Sequence, residues 1–269
     1  MGVLDGKVAF ITGAARGQGR SHAIRLAGEG ASIIAIDLCA EAAPVGYPTS
    51  TKDDLDQTAR MVEATGSGIV ARVADVRDQA GLESALAEGI DRLGRLDIVV
   101  ANAGICSWSK FWEMTDETWQ AMLDVNLTGV WRTFKATAPI LIEQGQGGSM
   151  IAISSVAGLK SLPGQAHYSA TKHGVVGLTK TAAIELGPYG IRVNSIHPWG
   201  VETPMTQDTI LNTMLAENPH FMKSYGSVLG GPTFLAPDDI SSAVLYLASD
   251  MSRLVTGIQL PVDRGALTL

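Results

Sequence analysis

Apolar positions along the chain gather into short, nearly unbroken runs: Lys7 to Thr12, Ser32 to Asp37, Gly68 to Val73, Leu96 to Ala101, Ser149 to Ser154, Ile191 to His197 and Gly257 to Pro261. Runs of about four to eight apolar residues without polar alternation have the pattern of strands buried on both faces. Between them lie amphipathic segments of helical length, among them Ala80 to Leu93 and Tyr168 to Leu186, the second stopped by Gly187 and Pro188. This alternation predicts an α/β fold: a single domain over residues 1–269, with a doubly wound, seven-stranded parallel sheet and helices on both faces. Parallel neighbours need crossovers, and right-handed crossovers put helices there.

One connection is too long for this plan. Residues 39–54, "CAEAAPVGYPTSTKDD", join the second strand to a helix beginning near Asp53. Such connections usually take about 2 to 6 residues, and structureless loops beyond roughly 12 to 15 are uncommon unless functional. Ser50 or Thr51 followed by Asp53 and Asp54 has the order of a helix cap. Pro44 and Pro48 restrict the stretch. The insertion, residues 39–52, is expected to be either a tolerated surface loop or a lid over a ligand.

Charge and composition narrow the chemistry. A net charge of −7 argues against nucleic acid, whose binders concentrate Lys and Arg. No apolar run reaches the roughly 18 residues of a membrane span, and no secretory leader pattern opens the chain, so a cytoplasmic location is expected. Cys39 and Cys106 lie outside any C-x-x-C spacing and read as reduced thiols. The histidines lack H-E-x-x-H or comparable spacing, so no metal is expected; His167, His173 and His197 read as packing or hydrogen-bonding residues.

Directly after the first strand, "VAFITGAARGQGR" sets Gly13, Gly17 and Gly19 at the mouth of a helix. Glycines there permit a tight turn and close approach of a pyrophosphate to the helix N-terminus. Asp37 ends the second strand, where a dinucleotide fold uses an acid to accept the ribose hydroxyls. The same carboxylate repels a 2′-phosphate, so NAD(H) is expected over NADP(H). Arg16 is the contrary sign, since a guanidinium can pair with that phosphate.

A second constellation follows. "HYSATKHG" sets Tyr168 and Lys172 four residues apart on one helix face, and "AISSVAG" sets Ser155 just past a strand end. Ligands of open α/β sheets bind outside the carboxyl ends of the strands, so these groups can converge there. Lowering a tyrosine pKa from about 10 to about 7 takes roughly 4 kcal/mol of preferential phenolate stabilisation. Lys172, the helix N-terminus and an oxidised nicotinamide are the positive groups able to supply it.

Through "TGAARGQG", "ADV", "NAG", "VNLTG", "ISSVAG", "YSATK" and "NSIHPWGVETPM", nearly the whole chain resembles the short-chain dehydrogenase/reductase family. The resemblance implies Tyr168 as acid/base, Ser155 on the substrate oxygen, Lys172 on the nicotinamide ribose, and Asn126 holding a water that links Lys172 to solvent. It implies a nucleotide site lined by Gly13, Arg16, Gly17, Gln18, Gly19, Asp37 and Leu38, with Asp75 and Val76 at the adenine. Asn102, Ala103 and Gly104 would flank the adenosine, and Val201 and Thr203 the nicotinamide. Trp199 stands where relatives carry glycine, which puts the local backbone in question. The insertion resembles that of mycofactocin-associated, carveol-dehydrogenase-like members, implying slowly exchanging NAD and an external redox carrier, mycofactocin. A homotetramer built on the helices Val125 to Ile142 and Tyr168 to Leu186 is also implied.

For the substrate, "ICSWSKFW" and residues 201–236 offer Trp108, Trp112, Trp199, Met205 and Met214 as an apolar wall. A hydrophobic secondary alcohol or ketone, cyclic or terpenoid, is expected. A β-ketoacyl reductase acting on an acidic carrier protein is disfavoured by Asp37 and the acidic balance, and a non-catalytic nucleotide sensor by the presence of all four catalytic positions.

Overall fold

The computed structural model describes residues 2–41, 45–230 and 234–269; Pro44 lies outside them. Its strands are β1 (Val8–Thr12), β2 (Ser32–Asp37), β3 (Ile69–Val73), β4 (Ile98–Ala101), β5 (Gly148–Ile153), β6 (Ile191–Pro198) and β7 (Gln259–Val262). They form one parallel sheet in the order β3-β2-β1-β4-β5-β6-β7. The order reverses between β1 and β4, which opens a crevice at the strands' carboxyl ends, where open α/β sheets bind ligands.

Period-two alternation divides the inner strands between two cores. Val8, Phe10, Ile34, Ile36, Val99 and Met150 face one layer. That layer is packed by α3 (Gln79–Leu93), α5 (Gly129–Gln144) and α6 (Ala166–Leu186) through Leu82, Leu86, Val130, Phe134 and Val175. Ala9, Ile11, Ile33, Ile98, Val100 and Ile151 face the other. There α1 (Gly17–Gly28), α2 (Lys52–Glu63) and α8 (Pro237–Ala248) supply Leu26, Leu55, Val62, Ile240 and Val244. Fully burying each large apolar side chain contributes about 1.5 to 3 kcal/mol, which explains why unbroken apolar runs, rather than alternating ones, build this sheet.

At the two edges the expectation of double burial fails. Val73 of β3 is half exposed, and no residue of β7 is fully buried. An edge strand has a neighbour on one side only, so helices cover it incompletely. At the far end of α6, Leu186 closes the helix, a short turn follows over Gly187–Tyr189, and Gly190, at φ 70°, redirects the chain into β6. The connection from β4 to α5 runs through α4 (Asp116–Leu123), and the chain after β6 carries α7 (Ile210–Glu217). No helix of the described residues is long and apolar enough to cross a membrane.

Candidate active site

The turn after β1 is shaped by its glycines. Gly13 and Gly17 adopt φ 68° and 54°, a left-handed region that disfavours a Cβ, and a Cβ on Gly19 would stand 2.0 Å from the Gly13 carbonyl oxygen. Asn102, just past β4, clamps the turn by donating its Nδ2 to the carbonyls of Thr12 (3.0 Å) and Gly13 (3.1 Å). No side chain caps α1, so its first-turn N–H groups are available to an anion. The turn opens into a cavity of about 180 Å³ lined by Gly13, Arg16, Gly17, Gln18, Gly19, Asp37, Leu38, Asp75, Val76, Asn102, Ala103, Gly104 and Thr203. This chemistry fits a dinucleotide: open amides for a pyrophosphate and a carboxylate at the end of β2. Val201 does not line the cavity; it is buried in a bridge to Leu235. Asp75 is held by Arg77, whose Nε donates to both carboxylate oxygens; partial burial raises the Asp75 pKa, but the Arg77 hydrogen bonds outweigh it and keep the carboxyl below its ordinary value.

The insertion folds back over this cavity and adds Ala40, Tyr47, Thr49 and Ser50 to its lining. Cys39 starts the reversal at φ 53°. Asp37 accepts Ser50 Oγ (2.5 Å) and Cys39 N–H (3.2 Å) on Oδ1, and the Ala15 N–H (2.9 Å) on Oδ2. One carboxylate thus ties the glycine turn to both ends of the loop. Arg16 donates to the Pro48 carbonyl, which engages the guanidinium that the sequence offers to a 2′-phosphate. The Tyr47 phenol oxygen accepts the Cys106 N–H at 3.1 Å, and Gly46 presses on the Asp208 carboxylate so closely that a Cβ would meet Oδ2 at 2.6 Å. Thr51 and Asp54 form a reciprocal capping box at the start of α2. These loop contacts escape sequence reasoning because each partner is distant in the chain; the one local signal is Tyr47, a lone aromatic in a small, polar stretch.

Beyond the cavity, Ser155, Tyr168 and Lys172 converge at the end of β5. Lys172 is buried, donates Nζ to the Ile153 carbonyl at 2.8 Å, and lies 5.4 Å from the Tyr168 ring centroid. Ser155 Oγ accepts the Ala157 N–H at 3.1 Å and hydrogen-bonds Tyr168. The Ser155 carbonyl accepts from His197 Nδ1 at 2.7 Å, which fixes that tautomer and leaves Nε2 to accept from Ser195 Oγ at 2.9 Å. Burial holds His197 down at about 4, so it stays neutral. The depressed tyrosine pKa expected from the sequence is not a property of the protein alone. Burial raises Tyr168 above its ordinary value, the Ser155 hydrogen bond opposes this, and burial draws Lys172 down to about 8.

Asn126 sits in a π-helical turn, Asp124–Thr128. Its amide is occupied: Oδ1 accepts the Ile105 N–H (2.9 Å), while Nδ2 donates to the Ile105 carbonyl (2.8 Å) and to Met122 Sδ. Its side chain therefore fixes the loop after β4 and has no hydrogen left to donate to a water.

The expected apolar wall assembles in part. Trp199, Tyr168 and Tyr225 all pack against the small buried cluster of Val156, Ala157 and Leu162. Tyr225, unmarked in the sequence, bridges Trp108 and Trp199 with ring centroids 6.4 Å from each, and donates its hydroxyl to the Pro163 carbonyl at 2.6 Å. Met214 is buried beside Gly164 and Trp108. Met205 instead lines the nucleotide cavity. Trp112 is 65% exposed and lines a separate surface cavity with Phe111 and Phe221, so it does not join this wall. Trp199 keeps a regular backbone, its N–H donating to Val262, while Phe234 leaves no room for a side chain at Gly200. Cys39 and Cys106 are free thiols, pushed up by burial to about 11 and about 12.

Residues 13–266 match the family model described as enoyl-(acyl carrier protein) reductase. An uncharacterized NAD-dependent oxidoreductase of Mycobacterium tuberculosis is 52% identical over 268 residues, covering 99% of this chain and 98% of its own. The (-)-trans-carveol dehydrogenase of Rhodococcus erythropolis is 45% identical over 274 residues, covering 98% and 99%. The crystal structure of a short chain dehydrogenase from Mycobacterium paratuberculosis bound to NAD superposes with a TM-score of 0.96 at 46% identity, covering 100% of both chains.

Proposed function

The chain belongs to the short-chain dehydrogenase/reductase family and is an NAD-dependent oxidoreductase; we propose that it interconverts a hydrophobic secondary alcohol, cyclic or terpenoid in shape, with its ketone. The observation that carries this reading is the convergence of Ser155, Tyr168 and Lys172 beside a nucleotide cavity and against an aromatic wall of Trp108, Trp199 and Tyr225. Bound NAD supplies the hydride acceptor and a positive charge near the phenol.

The protein's own part is to hold and move a proton. Ser155 Oγ accepts the Ala157 N–H and directs its hydroxyl hydrogen to Tyr168, from where it can turn to a substrate oxygen placed between the two. Tyr168, as phenolate, removes the alcohol proton in oxidation and returns it in reduction. Lys172, fixed by the Ile153 carbonyl, holds the ribose and favours the phenolate while it is protonated. Asp37 retains a lone pair on Oδ2 for a ribose hydroxyl. The contacts of Ser50, Arg16, Tyr47 and Gly46 support a closed lid over the nucleotide, a slowly exchanging NAD and an external redox carrier such as mycofactocin. Trp131 on α5 and Ile184 on α6, both exposed, support a homotetramer that covers those helices.

The test is Tyr168→Phe assayed on a panel of cyclic alcohols. Turnover is expected to fall by about 10³-fold, within the usual range for loss of a general acid/base, with the circular dichroism spectrum unchanged. Turnover near that of the wild type would refute the assignment.

A further inference from the structure

Two polar side chains from distant parts of the sequence meet at Cys106, and each has a hydrogen-bonding group to spare. Tyr47 accepts the Cys106 N–H at 3.1 Å, and its own hydroxyl hydrogen meets no acceptor among the described residues. Gln165, which precedes α6, donates Nε2 to the Cys106 sulfur at 3.1 Å, while its Oε1 is buried without a partner. The thiol directs its own hydrogen to the Ser107 carbonyl at 3.7 Å, so the sulfur accepts from Nε2 and the free atom of the amide is the acceptor Oε1. Buried polar groups in native structures are almost always paired, with protein, water or ligand.

Both groups lie near the proposed acid/base. Tyr47 lines the nucleotide cavity together with Ile105, and Gln165 is three residues before Tyr168. Cys106 and Tyr47 lie within electrostatic range of Tyr168, which brings this cluster near the proposed acid/base. Beyond it the wall is aromatic and sulfur: Trp108, Trp199, Tyr225 and Met214. One donor and one acceptor beside otherwise apolar side chains match a hydroxyl group, which both donates and accepts.

We propose that Tyr47 and Gln165 together hold a second, non-reacting hydroxyl of the substrate, so that the enzyme selects cyclic diols and their hydroxyketones over mono-alcohols. The insertion then contributes a specificity-determining residue as well as a cover for the nucleotide. This inference rests on the alcohol dehydrogenase reading above and is tested so that the two can fail separately.

Two pairs of probes are compared: cyclohexanol with trans-cyclohexane-1,4-diol as substrates, and cyclohexanone with 4-hydroxycyclohexanone as ligands of the NADH-loaded protein, followed by quenching of NADH fluorescence. In the wild type the hydroxylated member is favoured by about tenfold in kcat/KM and in Kd, as expected for one well-made polar contact. In Tyr47→Phe, and separately in Gln165→Met, that ratio falls towards one. A ratio near one in the wild type, or a ratio unchanged in both variants, overturns the proposal. So does a Tyr47→Phe variant that releases NAD faster while keeping the preference, because Tyr47 is then only a part of the lid. A Tyr47-dependent ligand preference without turnover of any alcohol supports this inference and removes the dehydrogenase reading. Turnover of both alcohols at equal efficiency does the reverse.

Discussion

Asp37 shows how much one side chain can carry. Its carboxylate accepts from Ala15, Cys39 and Ser50, and so joins the glycine turn to the insertion at the place where a ribose is expected. Its position after the second strand was legible in the sequence, because that position follows from the strand pattern alone. Its bond to Ser50 was not, because it depends on how the loop returns. Asp37→Ala is expected to raise the NADP/NAD ratio of kcat/KM by about 30-fold, equivalent to about 2 kcal/mol, by removing a like charge from the 2′-phosphate. NAD efficiency falls at the same time, since the turn and the loop lose their common anchor. An unchanged ratio, measured with both cofactors, would overturn the assignment of Asp37 to cofactor choice.

At the scale of elements, the insertion is the unit that distinguishes this site. Its length and its cap were evident from residues 39–54, and the capping box selects Thr51 and Asp54 from the possibilities, freeing Ser50 for Asp37. Whether the loop lies over the cavity or away from it was open, because its holding contacts with Arg16, Cys106 and Asp208 join parts of the chain that only the fold brings together. Replacing residues 40–49 by a short turn is expected to speed NAD dissociation by at least about tenfold, from the loss of these several contacts. Retention of NAD through gel filtration and dialysis reads this directly, and unchanged dissociation would sink the lid. The same distinction separates the wall residues: Trp199 and Trp108 meet through Tyr225, whereas Trp112, close to Trp108 in sequence, faces outward.

For the whole molecule, the double-layered core makes stability depend on pH. Burial lowers the pKa of His22 to about 3 and of His167 and His197 to about 4. The unfolded chain, with histidines near 6.5, therefore binds more protons than the folded protein below about pH 6.5, and stability falls as pH drops through that value towards about 4. Each histidine removes about 2 kcal/mol by about pH 5. Thermal unfolding midpoints are expected to drop steeply between about pH 6.5 and 5, and His22→Gln to make the drop shallower; a flat profile would contradict the neutral burial of these rings. The sequence by itself determined the strand runs, their parallel sense and the local motifs, because burial on both faces, glycine conformations and i,i+4 spacing are written in adjacent residues. Only the tertiary structure decided which strands are edges, that Arg16 is spent on Pro48, that Asn126 is spent on Ile105, and that Tyr47 and Gln165 meet at Cys106. Those outcomes depend on which distant groups compete for each hydrogen bond and each patch of surface, and that competition is settled by packing in three dimensions.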